Sequence, residues 1–452
     1  MKEKGTKVND LIEIGETTIE QGKKFGAEEI EVYFEHTRTN RVNVYTGYVD
    51  TFGGEELGVG VRATIGKKVG FSSATVRSNQ EIVEVIRRAT KIAKLKEEDP
   101  HFHHLPDPTR GAGKKGIFDD QVSTLKLREL TKLAKTSTDE GKDVGDFVEN
   151  IDVTAVASVI KKAIVSTRGI LNGDKRTYLY AYGSVKGKKD EELTTGVELV
   201  MGRKLKEDAL LKVGYHAAKR AERMFGGEEL DKPRSGQLVV ENVALPSFLW
   251  PLVFNVNGNN VADKRSRFLG KQGKQVASDI TVVDDGTLEE GIRTAEVDDE
   301  GIPMTKKKII DDGILKSYLF DSYAALRMDQ ESTGNAIRSG YSDPPSLSYT
   351  NLRIPNGSGN LEALRREIDQ GILVTGMVMG AHLTNPIKGN FGLTCKNAFL
   401  VEDGEIKYPL KEATVSGDFF ELLKNIRKVG SDTKLTQSGK LPSIMVTGID
   451  FA

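Results

Sequence analysis

Between residues 29 and 35 the chain alternates: Ile30, Val32 and Phe34 are apolar, while Glu29, Glu31, Tyr33 and Glu35 fall on the other parity. A period of two marks a strand with one face in a core and the other turned to water. Val42 and Val44 keep the same parity and extend the strand. Leu57 to Thr64 and Val69 to Ala74 then read as a hairpin about Gly66-Lys67-Lys68. Helical stripes flank this unit. Val8, Leu11, Ile12, Gly15 and Ile19 share one face before it. After it, Ser78 and Glu81 have capping-box spacing and lead into Ile82, Val85, Ile86, Ala89, Ile92 and Ala93. A chain that changes period this often is neither all-helical nor all-strand.

The helix pattern stops at Asp99, where Pro100, Pro106 and Pro108 fall within nine positions. This composition divides the chain into an N-terminal α/β domain over 1–98 and a Pro-rich linker over 99–122. A middle α+β domain over 123–230 is expected to open with a helix near Thr124 to Gly141. Strands at Phe147 to Ser158, Lys162 to Thr167, Thr177 to Val185 and Leu193 to Met201 follow, then a charged helix from Lys206 to Met224. A β-rich domain over 231–452 carries the hairpin markers Asp285-Gly286, Asp312-Gly313 and Asp403-Gly404. Short helices are expected at Leu245 to Phe254, Leu361 to Asp369 and Phe419 to Lys428. Strands mixed with helices, without repeated βαβ units, give an α+β fold class.

Composition narrows the function. Lys and Arg number 65 against 66 Asp and Glu, for a net charge of −1, so a nucleic-acid partner is not expected. No apolar run approaches the ~18 residues of a membrane span, and Gly376 and Gly380 interrupt the closest one, Leu373 to Leu383. The first residues lack the apolar stretch of a signal peptide, which makes the cytoplasm the expected compartment. The single cysteine, Cys395, rules out an internal disulfide framework and reads as a buried thiol. None of the six histidines is followed by Glu, so the His-Glu-x-x-His zinc motif is absent. His101, His103 and His104 read as a solvated loop. Gly58-Val-Gly-Val-Arg-Ala63 lies inside a strand pattern and is rejected as a dinucleotide fingerprint. Lys306-Lys307-Lys308, offset by Asp298-Asp299-Glu300, reads as a solvated turn.

More is carried by longer segments. Gln275 to Thr287, Ser332 to Arg338, Ser348 to Ile354, and Ala398 to Gly404 with Tyr408-Pro409 resemble the TldD/PmbA family. Ile30 to Thr64 and the Val165 to Gly169 turn fit the same family in the same order. The resemblance implies a β-rich, barrel-like C-terminal lobe with short helices behind an N-terminal mixed lobe. Its TldD type is similar to a metallopeptidase with His-Glu-x-x-x-His on a helix. Its PmbA type, also called TldE, lacks these ligands and pairs with TldD. Here the matching helix follows Gly236 to Asn242, and Pro251, Leu252 and Val256 stand in the motif slot. No cysteine follows Ser438-Gly-Lys-Leu-Pro442.

The resemblance therefore implies a PmbA/TldE-type subunit with no catalytic or metal residue of its own, and zinc only in a TldD-type partner. It also implies pairing with that paralogue, or with a second copy, around extended peptides. An extended peptide needs main-chain partners and little sequence preference. Asn255, Asn257, Asn335, Arg338, Ser339 and Asn351 are the candidates for such a groove, although Asn and Ser clusters equally build turns. Trp250, the only tryptophan, is the interface candidate, with a buried core helix as the competing reading. An autonomous hydrolase with an unrecognised site is the alternative function. The family's older name, modulator of DNA gyrase, gains no support from a near-neutral chain.

Overall fold

The computed structural model describes residues 7–109 and 116–452. Its first half is one antiparallel sheet of six strands: β1 (Glu29–Tyr45), β2 (Tyr48–Ile65), β3 (Lys68–Thr75), β4 (Val148–Ser166), β5 (Leu171–Lys189) and β6 (Glu192–Gly202). The order β3-β2-β1-β4-β5-β6 places β1 at the centre, paired along its length with both β2 and β4. Strands from the segments 1–98 and 123–230 thus pair in one sheet. The expected break near residue 160 is absent, because β4 runs on uninterrupted, and β1 continues past Val42 and Val44 as their parity indicates. The described part of the Pro-rich stretch is packed rather than free. Leu105 is buried and donates its N–H to Glu29 Oε2 at 2.7 Å.

Helices cover one face of this sheet. Helix α1 (Val8–Gly22) and helix α2 (Asn79–Leu95) bury Ile30, Val32 and Phe34 of β1. Ser78 caps α2 by accepting from the Glu81 N–H, as its spacing indicates. The helices Leu127–Lys142 and Val213–Glu222 bury Val42 and Val44 on the same face. The expected helix Lys206 to Met224 is broken at Lys212.

At Glu31 and Tyr33 the other parity of β1 does not meet water. Glu31 is 0% exposed and Tyr33 1%, because the C-terminal domain lies across this face. Alternation identified the strand but not the burial of its polar side. Glu31 takes Arg62 Nε at 2.9 Å and Nη2 at 2.5 Å, and Arg338 Nη2 at 2.6 Å. Arg62 Nη1 donates to Glu300 at 2.7 Å, and Lys162 Nζ of β4 to Asp299 at 3.1 Å. The Arg338 guanidinium and the Lys162 ammonium both lie over the Tyr33 ring, at 4.6 and 5.4 Å. Asp299 and Glu300, expected beside a solvated turn, are therefore buried anchors of the domain contact, while Asp298, also buried, accepts from the N–H groups of Glu300, Ile302 and Ala336 in its own domain. Lys307 is drawn in as well, bonded to Asp284 at 3.0 Å and to Asn335 at 2.8 Å.

The glycines of Gly58-Val-Gly-Val-Arg-Ala63 have a packing reason. A Cβ on Gly58 would come within 2.0 Å of the Tyr341 ring, and one on Gly60 within 2.4 Å of the Tyr341 carbonyl. Tyr341 of the C-terminal domain rests on bare backbone here, and its hydroxyl meets Thr75 Oγ1 at 2.8 Å.

The C-terminal domain holds a closed five-stranded barrel. Strand β7 (Arg234–Val240) pairs with Ile444–Phe451 and Gln370–Met379, and the ring closes through Ala413–Asp418 and Asn390–Glu402. A second sheet includes Val282–Asp285, Lys306–Asp311 and Leu352–Arg353. Asp312-Gly313 and Asp403-Gly404 make two-residue hairpin turns, with all four residues at positive φ as that turn requires. Asp285-Gly286 does not. Asp285 turns its carboxylate onto the Thr287 N–H, and the partner strand begins only at Lys306.

Breaking a buried pair by removing one charge costs about 3–5 kcal/mol, since its partners stay buried without compensation. Glu31→Gln is expected to lower the free energy of unfolding by about 3 kcal/mol or more. Urea denaturation checks this.

Candidate functional site

The motif slot lies on two short helices between β7 and the second sheet. The expected single helix Leu245 to Phe254 is split into Leu245–Phe248 and Trp250–Val256. Pro251 sits at the start of the second piece, where the missing N–H is tolerated. The turn of helix from Leu252 to Val256 faces inward. Both side chains are 0% exposed and pack with Leu245, Phe248, Phe391 and Cys395 in the main apolar core. Pro251 is buried beside them. None of the three replacements carries a side-chain metal donor, and core atoms fill the space where donors would point. A zinc site does not fit this slot.

Elsewhere the donors are scattered. Among the described residues, no group of three or more His, Cys, Asp or Glu could hold a metal ion. His101 and His103 are exposed, and His104 bonds the Leu105 carbonyl through Nδ1 at 2.7 Å. His382 is exposed in the turn Ala381–Leu383. Burial pushes the Cys395 thiol up to about 12, so it is not a thiolate nucleophile at neutral pH.

The groove candidates separate into two groups. Four asparagines spend their amides on the chain itself. Asn255 donates to the carbonyls of Pro251 and Pro386, both at 2.8 Å, and accepts from the Arg267 N–H. Asn257 caps the helix Gly258–Ala262. Asn335 donates to Asp284 and Ser348, and accepts from Lys307. Asn351 fastens Asp285 and Thr294. These are the turn and loop fasteners of the competing reading. Arg338 and Ser339 instead line a cavity of about 430 Å³ between the two domains, although Arg338 also holds Glu31.

Trp250 is the exposed element of the slot helix, at 39%, and stacks on Phe254 at 5.8 Å between centroids. Two bonds fasten the adjacent chain here: Ser247 Oγ to the Val378 carbonyl and Asn255 Nδ2 to that of Pro386. The chain between them is apolar and exposed at Met379 (44%) and Leu383 (76%), with Met377 and Ile387 just outside. Sequence reasoning took this run only as an interrupted apolar stretch. The signal was the alternation of Met377 and Met379 about the buried Val378.

Family models match almost the whole chain. Residues 30–93 match the PmbA/TldA metallopeptidase domain 1, 120–225 the central domain and 233–452 the C-terminal domain. The chain belongs to the PmbA/TldD family. Among family members, an uncharacterised protein of Methanocaldococcus jannaschii is 28% identical, over 96% of this chain and 98% of its own. A metalloprotease of the same organism is 27% identical, over 95% and 93%. TldE from Thermococcus kodakarensis shares the fold with a TM-score of 0.88, covering 97% of this chain and 100% of its own at 23% identity. No helix among the described residues is long and apolar enough to cross a membrane.

With Leu252 and Val256 built into the core, purified PmbA/TldD-family protein of this sequence is expected to carry well under one zinc per chain. Elemental analysis after removal of any affinity tag reads this. A full equivalent that survives mutation of His101, His103 and His104 would contradict it.

Proposed function

We propose that this chain is a PmbA/TldE-type, non-catalytic subunit, working in the cytoplasm with a TldD-type paralogue in the proteolysis of extended peptides. The observation that carries the reading is the closed slot: the helix that would present the ligands points Leu252 and Val256 into an apolar core. Hydrolysis by a metallopeptidase needs a Lewis acid to activate water, and this helix offers no place for one. Zinc belongs to the partner in this account.

The exposed face of the same helix supports a binding role. Trp250, Met379 and Leu383 present exposed apolar surface. Large apolar side chains grouped on a surface mark association sites. The TldD-type paralogue is the proposed occupant, and a second copy of this chain is the competing outcome.

The purified chain alone is expected not to cleave flexible peptides, and to support chelator-sensitive cleavage when mixed with a TldD-type paralogue. Chelator-sensitive cleavage by the single chain would favour an autonomous hydrolase. Trp250→Ala is expected to weaken pairing by about 2 kcal/mol or more, the cost of truncating an interface tryptophan. The unfolding midpoint of the single chain should barely change. A strong fall in the midpoint with pairing per folded molecule unaltered would return Trp250 to the core.

A further inference from the structure

The cavity between the domains has a charge pattern that the subunit reading leaves unexplained. Its walls come from β1, β4 and β5 on one side and from residues 292–348 on the other. Five cations line it, and three of them are matched. Lys162 pairs with Asp299, Arg176 with Asp174 and Arg338 with Glu31. Arg203 and Arg293 are different.

Arg203 is 2% exposed and makes no ion pair with a carboxylate among the described residues. Its guanidinium donates to the carbonyls of Thr177 at 2.9 Å, Gly291 at 3.2 Å, and Ile292. Carbonyls satisfy hydrogens but do not neutralise charge. Burial first, and then the nearby Arg176, push its pKa down to about 9, which still leaves it a cation at neutral pH. Arg293 follows the very residues that Arg203 holds. Its Nη1 donates to Ser348 Oγ at 3.2 Å and to the Tyr349 carbonyl at 3.0 Å, and its plane lies 4.3 Å from the Tyr349 ring centroid. It too has no carboxylate, and its Nε and Nη2 have no hydrogen-bond partner among the described residues. Ser339 and Ser348 add hydroxyls to the same wall.

A buried guanidinium without a counter-charge is costly, and a planar oxyanion is its natural complement. Glu35 and Asp299 also line the cavity, but both lie beside Lys162, at 3.7 and 3.1 Å. We propose that this cavity binds a small oxyanion, a carboxylate or phosphate group, between Arg203 and Arg293. The site is independent of the motif slot and of Trp250, so it stands or falls apart from the subunit reading.

Calorimetric titration of the full chain tests it with three probes: inorganic phosphate, an acetylated tripeptide with a free C-terminal carboxylate, and the same peptide as its amide. Saturable binding of phosphate, or of the free peptide but not the amide, is expected, and the pattern assigns the source of the anion. Arg293→Gln should weaken that binding about tenfold or more, while Arg366→Gln, on an exposed arginine far along the chain, leaves it unchanged. A wild-type measurement guards against misfolding of the variant. The bound probe should slow modification of Arg293 by phenylglyoxal, mapped by mass spectrometry. Failure of wild type to bind either anion, or equal binding by a folded Arg293→Gln protein, would overturn the proposal. So would an unchanged rate of Arg293 modification with probe bound.

Discussion

Glu31 is the carboxylate on which the arrangement of the two domains depends. It sits at the centre of the N-terminal sheet, on the strand that pairs along its length with two neighbours. Arg62 from β2 and Arg338 from the C-terminal domain converge on it, and both are buried. Such a cluster contributes little net stability by itself, because desolvation offsets attraction. Its effect is on geometry. A guanidinium and a carboxylate buried together have one good register, so the C-terminal domain has one seat on the sheet. Tyr341 over Gly58 and Gly60 fixes the same seat by shape. Both the cavity and the orientation of the slot helix follow from that seat.

In the proposed reading, the scaffold keeps its fold with apolar side chains where a metal site would be. Leu252 and Val256 add apolar volume to the barrel-side core. The helix still needs a satisfied C-terminal end, and Asn260 Nδ2 and Ser266 Oγ supply it by donating to the Phe254 and Asn255 carbonyls. What remains outside is a tryptophan and a rim of Met and Leu.

Much of this was legible in the sequence where local rules decide. The parity of Ile30, Val32 and Phe34 gave β1, the Ser78 cap gave α2, and Asp312-Gly313 and Asp403-Gly404 gave two hairpins. The family resemblance pointed to the barrel. Long-range partners were not legible. Glu31 and Arg338 are separated by 307 residues, and no periodicity shows that a polar face will be covered. Hence Asp298, Asp299 and Glu300 looked solvated, and nothing local showed that β1 and β4 pair in one sheet. The asparagines chosen for a groove are polar for the same local reason that loops are polar, and their amides hold loops. Arg203 had no signal of its own, since a lone arginine after a strand is usually exposed.

The most direct measurement is the location of zinc in a complex of this chain with a TldD-type paralogue. Diffraction data collected on both sides of the zinc absorption edge place the metal without reference to activity. The account predicts an anomalous peak on the partner's side chains and none beside Leu252 and Val256 of this chain. A peak held by this chain's own side chains would contradict it.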